Sequence, residues 1–294
     1  MKNSEKKSSL SFVFFGTSRI AVGILLELER AGFVPHIVVA TPDAPKGRGL
    51  KLTPPPTKEW ASARNIEVLQ PEKLDDDFSA TLQAANCHLY VVVDYGKLLP
   101  QAVLDIPKRG VLNVHFSLLP RYRGASPIRS AILADDSKIG TSIILLTKGL
   151  DEGPIVAQKP IHPSEWPMRA HELEDLFIHE SGTLLAQILP AWVNEDIEAR
   201  EQNHDLATHC EKIGKQDGLL DLGADAYQNL LKIRAYEGWP GTYAFFERNG
   251  KKIRVQILEA RIENDTLIIE RVKPEGKREM NYEEFLRAGA TLAK

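Results

Sequence analysis

Cysteine is almost absent from this sequence. The 294 residues contain two, Cys87 and Cys210, far apart and without a CxxC or other metal-type spacing. That excludes a disulfide framework and a cysteine zinc site, and it points to a reduced, cytoplasmic setting. Long apolar runs are missing as well. The run Phe12–Phe15 is too short for the apolar core of a signal peptide, and no stretch approaches the roughly 18–20 residues of a membrane span. Excess charge of one sign is lacking too, with 37 Lys+Arg against 40 Asp+Glu. A general nucleic-acid binder needs a basic surface overall, so only a local basic feature can serve such a partner here. What remains is an ordinary globular balance, 43% hydrophobic and 26% charged, which excludes disordered and collagen-like chains. The length suits one large or two modest domains.

Several cofactor and nucleophile motifs are also missing. There is no GxxxxGK[ST], GxSxG or GxGxxG, and Gly47-Arg48-Gly49 is followed by Leu52 where a dinucleotide fingerprint needs its last glycine. His171-Glu172-Leu173-Glu174-Asp175 begins like a helical zinc motif, yet Asp175 stands where the second histidine belongs. A solvated helix face explains it better. His204, His209 and Cys210 border a polar stretch and do not make a metal set, so no metal is expected.

What is present is an alternation. Ser11–Phe15 reads as a strand ending in Gly16-Thr17-Ser18, and Ile20, Ala21, Ile24, Leu25 and Leu28 recur at helical spacing up to Gly32. Val34–Ala40 reads as a second strand. Five prolines in residues 41–58 predict a stiffened loop without regular structure. A short helix over Thr57–Arg64 and a short strand over Glu67–Leu69 follow. Leu89–Val93 and Val111–Phe116 read as strands covered on both faces. Ile139–Leu146 and Ile155–Ile161 read as a strand pair, and Met168–Trp192 as a long helix ending near Pro190. This rhythm predicts an α/β fold with a mostly parallel, doubly wound, Rossmann-like sheet, and ligands bind beyond the carboxyl ends of such strands. After an aperiodic polar stretch, Thr242–Phe246, Lys252–Leu258 and Thr266–Arg271 read as strands of a small β-rich second domain, with Asn249-Gly250 as a hairpin turn.

Two features carry chemistry. Asn113 and His115 lie two apart in a strand, so both side chains share a face. A polar side chain buried there without a partner costs roughly 1–3 kcal/mol. Asp151 follows in the glycine-flanked turn Gly149–Gly153. An amide donor, an imidazole and a carboxylate at strand ends suit acyl transfer: Asn113 to meet an oxyanion, His115 to move a proton, Asp151 to orient the ring. The same residues read equally well as a buried Asn–His pair tying strand to loop. No activated Ser or Cys accompanies them, so no covalent intermediate is implied. The second feature is the stretch 41–58, with Lys46, Arg48, Lys51 and Lys58 against the single acid Asp43.

Longer motifs extend these residues. GTS at Gly16–Ser18, VVVDYGKLLP at Val91–Pro100, NVHFSLLPRYRGASP at Asn113–Pro127 and GLDEG at Gly149–Gly153 together resemble the methionyl-tRNA formyltransferase family. PKGRGLKLTPPPTK at Pro45–Lys58 resembles that family's basic loop, and EGKREMNYEEFL at Glu275–Leu286 its C-terminal tail. The resemblance implies a formyltransferase domain followed by an OB-like domain, here reduced or open because the segment from Arg261 to Leu267 is short. The polar, lysine-rich start reads as a disordered N-terminus over 1–10 and the polar, aperiodic stretch as a linker over 192–207, which leaves a catalytic domain over 11–191 and a C-terminal domain over 208–294. The resemblance also implies formyl transfer from 10-formyltetrahydrofolate to the α-amino group of methionyl initiator tRNA, and a monomer is expected. Asn113, His115 and Asp151 would be catalytic on this basis. Ser117, Leu118, Leu119 and Pro120 would line the folate site, bordered by Tyr95 and Gly96. Lys46, Arg48 and Lys51 would meet the tRNA acceptor arm.

Overall fold

The computed structural model describes residues 10–47 and 49–293. In chain order these form β1 (Phe12–Gly16), α1 (Arg19–Arg30), β2 (Ile37–Val39), β3 (Ala44–Lys46), β4 (Lys51–Thr53), α2 (Pro56–Ser62), β5 (Glu67–Leu69), α3 (Asp76–Ala85), β6 (Leu89–Val93), α4 (Gln101–Leu104), β7 (Val111–His115), β8 (Arg123–Gly124), α5 (Pro127–Leu133), β9 (Ile139–Leu145), β10 (Ile155–Ile161) and α6 (Ala170–Val193). The chain continues through β11 (His209–Cys210), α7 (Ala226–Ala235), β12 (Thr242–Arg248), β13 (Lys251–Glu263), β14 (Thr266–Pro274), β15 (Met280–Asn281), α8 (Tyr282–Arg287) and β16 (Thr291–Leu292). They group into two compact units. One holds residues up to 123, 140–161 and 175–208; the other holds 124–139, 162–174 and 209–294.

The first unit is built on a seven-stranded sheet in the order β10-β9-β7-β6-β1-β2-β5. The pairs from β5 to β7 are parallel and β9 joins β7 antiparallel, so the sheet is mostly parallel. Its central strands β1 and β6 are buried at every residue, as a sheet covered on both faces requires. Helix α1 starts where Ser18 accepts a hydrogen bond from the Ala21 amide, and it buries Ala21, Ile24, Leu25 and Leu28. Each fully buried Ile or Leu here contributes roughly 1.5–3 kcal/mol. Gly16 makes the tight turn between them: a Cβ there would lie 2.8 Å from the Ala21 Cβ and 2.9 Å from the Val93 carbonyl oxygen. Helix α6 runs past Pro190 to Val193, because in a final turn proline forfeits one backbone bond without ending the helix.

Residues 41–58 depart from the sequence expectation. Instead of a loop without regular structure, Ala44–Lys46 and Lys51–Thr53 pair as an antiparallel hairpin. Pro45 is tolerated because both strands of a two-stranded ribbon are edges, where a missing N–H disturbs no central ladder. Pro56 opens α2, where proline fits the first helical turn.

The second unit carries a five-stranded sheet in the order β15-β14-β13-β12-β16, with every pair antiparallel. The sheet is open, with β15 and β16 at its two edges. Asn249 and Gly250 both have positive φ, as a primed hairpin turn demands, and Asn264-Asp265 turn β13 into β14 the same way. Phe246, Val255, Ile257, Val272 and Phe285 form the core of this unit.

Candidate functional site

Strand β7 delivers Asn113 and His115 to one face near its carboxyl end, where Asn113 pairs with Val92 of β6 and His115 with Ser142 of β9. Asp151 arrives from the turn after β9, held at φ +51°. A left-handed backbone is unusual for a residue with a side chain, though aspartate tolerates it better than most. One carboxylate then reaches both polar groups of β7. The Asn113 Nδ2 donates to Asp151 Oδ1 at 3.4 Å, and His115 Nδ1 lies 3.6 Å from Asp151 Oδ2. The His115 and Asp151 side chains are only 6% and 11% exposed, so this charge works in a weakly screened setting.

The carbonyl of Tyr122 fixes the ring's tautomer. It lies 2.8 Å from His115 Nε2, and a carbonyl can only accept, so Nε2 carries a proton. In the neutral ring, Nδ1 then presents a lone pair toward the carboxylate, which accounts for a separation longer than a hydrogen bond. When Nδ1 gains a proton, the same geometry offers it an acceptor. The arrangement could pass a proton through Nδ1, with the tautomer set by the backbone.

The loop after β7 is pinned by residues that the sequence reading missed. Ser142 Oγ donates to the Ser117 carbonyl at 2.7 Å and accepts from the Leu119 amide at 3.0 Å and from Gln158 Nε2 at 2.8 Å. Gln158 also donates to the Leu119 carbonyl at 2.9 Å, and Ser117 Oγ donates to the Arg121 carbonyl at 2.6 Å. Beneath them Thr141 Oγ1 donates to the His115 carbonyl at 3.3 Å and accepts from Ser181 Oγ at 2.9 Å. Thr141 and Ser142 are wholly buried. Polar side chains inside the otherwise apolar strand β9 are the signal that could have found them.

Ser117 and Leu119 are buried, while Leu118 and Pro120 are half-buried along the same loop. Tyr95 and Gly96 stand just past β6. The Tyr95 ring is 2% exposed and packs edge-on against Phe15 at 5.4 Å. Burial pushes its hydroxyl pKa up to about 12, and among the described residues that oxygen has no hydrogen-bond partner. The ring is therefore core. The turn itself, left-handed at Asp94 and Gly96, is what this segment presents at the strand end. Leu98, on the same loop, is 81% exposed.

In the hairpin, Lys46 and Lys51 are exposed and face each other across the ribbon. Lys58 lies elsewhere in its bonding: its Nζ meets Asp43 at 2.9 Å. The Lys58 ammonium, followed by Gln70, holds the Asp43 carboxyl below the usual carboxylate range. Arg48 lies outside the described residues. Among the described residues no group of three His, Cys, Asp or Glu side chains could hold a metal, and no helix is long and apolar enough to cross a membrane.

Residues 10–187 match the family model described as Formyl transferase. The methionyl-tRNA formyltransferase of Chloroflexus aurantiacus is 41% identical over 247 residues, covering 84% of this chain and 79% of that protein. The methionyl-tRNA formyltransferase of Desulfotalea psychrophila is 34% identical and covers 96% of this chain and 94% of its own length. Among solved structures, methionyl-tRNA formyltransferase from Clostridium thermocellum superposes with TM-score 0.60 at 14% identity, covering 90% of this chain and 98% of that one. A sugar N-formyltransferase from a Shewanella species gives TM-score 0.64 at 15% identity, over 86% of this chain and 99% of that one. At such identities the structural likeness speaks for the fold.

Proposed function

Because the chain belongs to the formyl transferase family, we propose that it moves the formyl group of 10-formyltetrahydrofolate to the α-amino group of methionyl initiator tRNA. The observation that carries this reading is the single carboxylate of Asp151 reaching both Asn113 and His115 at the end of a parallel-sheet strand. In the transfer, the formyl carbon leaves a folate nitrogen for the amine, the amine loses a proton and the folate nitrogen gains one. Asn113 supplies an amide N–H to the formyl oxygen as it takes on negative charge. His115 accepts and returns the migrating proton at Nδ1, since Nε2 is committed to the Tyr122 carbonyl. Asp151 holds the protonated ring. A free α-amine titrates at about 7.7–8, so a neutral, attacking fraction exists at cytosolic pH.

The residues present fit a formylated folate. Exposed Leu98 and half-buried Leu118 offer apolar contact, and the left-handed turn at Asp94 and Gly96 borders the strand end that pairs with Asn113. Tyr95 and Gly96 would contribute through backbone, and Ser117–Pro120 through the pinned loop. Lys46, Arg48 and Lys51 are assigned to the tRNA acceptor arm. Support comes from the hairpin, where like charges opposite each other are unfavourable until an anion lies between them. Nearby Leu50 and Leu52 are 71% and 62% exposed, apolar surface suited to unstacked bases at an RNA end. The setting is the cytoplasm.

The test supplies the purified protein with 10-formyltetrahydrofolate and offers it either methionyl initiator tRNA or an amino-sugar nucleotide. Formyl transfer to the aminoacyl amine is expected. Transfer to the sugar amine alone would assign the chain to small-amine chemistry instead.

A further inference from the structure

The polar stretch that precedes the second unit's sheet is chemically tied to the site. Gln202 is 5% exposed. Its Nε2 donates to the carbonyls of Asp151 at 2.8 Å and Gly153 at 2.7 Å, the two residues that set the backbone of the Asp151 turn. Its Oε1 accepts from Arg123 Nε at 3.2 Å and Nη2 at 2.7 Å. A carboxamide offers two donor and two acceptor positions, and all four are used here. Flipping the amide would set oxygen against two carbonyls and NH2 against a guanidinium, losing every bond. Arg123, 4% exposed, therefore fixes which way Gln202 points, and His204 Nδ1 lies against the same guanidinium at 3.1 Å.

A few residues on, Thr208 holds the other end of the pair. Its Oγ1 accepts from the Tyr122 amide at 2.8 Å, and its carbonyl accepts from the Arg123 amide at 2.8 Å. Its own amide donates to the Pro120 carbonyl at 3.2 Å. Tyr122 is the residue whose carbonyl takes His115 Nε2. Arg200 anchors the start of the segment, exchanging backbone bonds with Ile155 at 2.7 and 2.8 Å.

We propose that residues 200–208 are a clamp for the His115–Asp151 pair, with Gln202 and Thr208 as positioning residues. Gln202 sets the turn that aims Asp151 at Nδ1. Thr208 sets the carbonyl that holds Nε2. Neither touches the reacting atoms, and the inference rests on the formyl-transfer reading for its kinetic consequences.

The first experiment compares Gln202→Ala with wild type in the wild-type and Asp151→Asn backgrounds. Gln202→Ala is expected to lower kcat about 100-fold, the effect of misplacing a catalytic group by about an ångström, with both KM values within about twofold. In the Asp151→Asn background the same change is expected to cost less than about twofold, since residues acting as a unit are non-additive. Equal losses in both backgrounds, or a kcat within about twofold of wild type, would overturn the clamp. Thr208 is exposed, so Thr208→Val tests the other end with little threat to folding. It should lower kcat, and Thr208→Ser, which keeps the hydroxyl, should restore it. NMR of the His115 ring nitrogens reads the clamp without turnover. Gln202→Ala and Thr208→Val should each shift those signals, and unmoved signals would refute the proposal. If wild type itself formylates no methionyl-tRNA, the functional reading fails, while the ring signals still decide the clamp.

Discussion

The Asn113–His115–Asp151 cluster and the Ala44–Thr53 hairpin are the two chemically loaded regions of the first unit, and they are built on opposite terms. Around the cluster, Ser142 uses its hydroxyl three ways and Gln202 its amide four ways. In the hairpin, all three residues of β3 are exposed, as are Leu50, Lys51 and Leu52. Lys46 and Lys51 oppose each other, and Asp43 at the base is held by Lys58 and Gln70. The contrast fits the two roles proposed for these regions. A proton-transfer pair loses rate when its geometry drifts by an ångström, so it needs a rigid surround. A surface that meets the end of an RNA needs charge and apolar area, and it can take its final order from the partner. Catalysis and recognition should therefore separate cleanly in variants.

The largest expected effect lies in the cluster. Asn113→Ala removes the proposed oxyanion donor and should lower kcat about 100–1000-fold, with the KM for methionyl-tRNA little changed. A matching loss in a hairpin variant would erase the contrast. Next comes the turn that carries Asp151. A Cβ at Gly153 would sit 1.9 Å from the Leu145 carbonyl oxygen, so Gly153→Ala must push the turn away from β9. We expect kcat to fall about 100-fold by misplacement of Asp151. Stability should fall by about 1–3 kcal/mol, as for other overpacked sites, which thermal unfolding would report. Wild-type turnover in that variant would mean that the turn adjusts freely.

Much of this was legible beforehand, for physical reasons. The strands of the first sheet are continuous apolar runs because both faces are covered. Asn113 and His115 stand out because polar side chains are costly in such a strand, and Asp151 because two glycines frame it. Other parts were not legible. Thr141 and Ser142 show in the sequence only as polar side chains in an apolar strand, since the partners they meet across the sheet are not written locally. Gln202 and Thr208 sit in an aperiodic polar stretch, and polar composition cannot separate a solvated linker from a segment bonded to buried carbonyls. Helix α3 was readable: Asp75 caps it by accepting from the Phe78 amide, and Phe78 and Leu82 give the helical spacing, but the run of three aspartates reads first as loop. The β3–β4 hairpin was hidden by its prolines, whose breaking effect depends on whether a strand has two neighbours or one.

A smaller effect should come from the hairpin lysines. Lys46→Ala and Lys51→Ala each remove one phosphate contact in the proposed complex. Each should weaken tRNA binding and lower the slope of log affinity against log salt by about 1. Turnover of bound substrate should stay near wild type, because neither lysine belongs to the proposed catalytic cluster. An unchanged salt slope with unchanged KM would remove the hairpin from the recognition surface and leave the cluster as the only loaded region.

The smallest effect concerns Tyr95, which separates core from site at the end of β6. Its hydroxyl is buried with no partner among the described residues, so Tyr95→Phe deletes a desolvated polar group while keeping the ring against Phe15. Stability near neutral pH should be unchanged or higher by up to about 1 kcal/mol. The alkaline limb gives a second reading. Burial raises the folded pKa from 10.0 to about 12, so the unfolded chain releases the proton first as pH rises. The neutral hydroxyl's contribution is then fully present below the unfolded value and is lost as pH climbs through that window. Tyr95→Phe should make the alkaline decline in Tm shallower and leave the KM for 10-formyltetrahydrofolate where it was. A raised folate KM in this variant would instead mean that the ring's hydroxyl reaches the ligand, and the rigid region would then include the floor of the strand end as well as its rim.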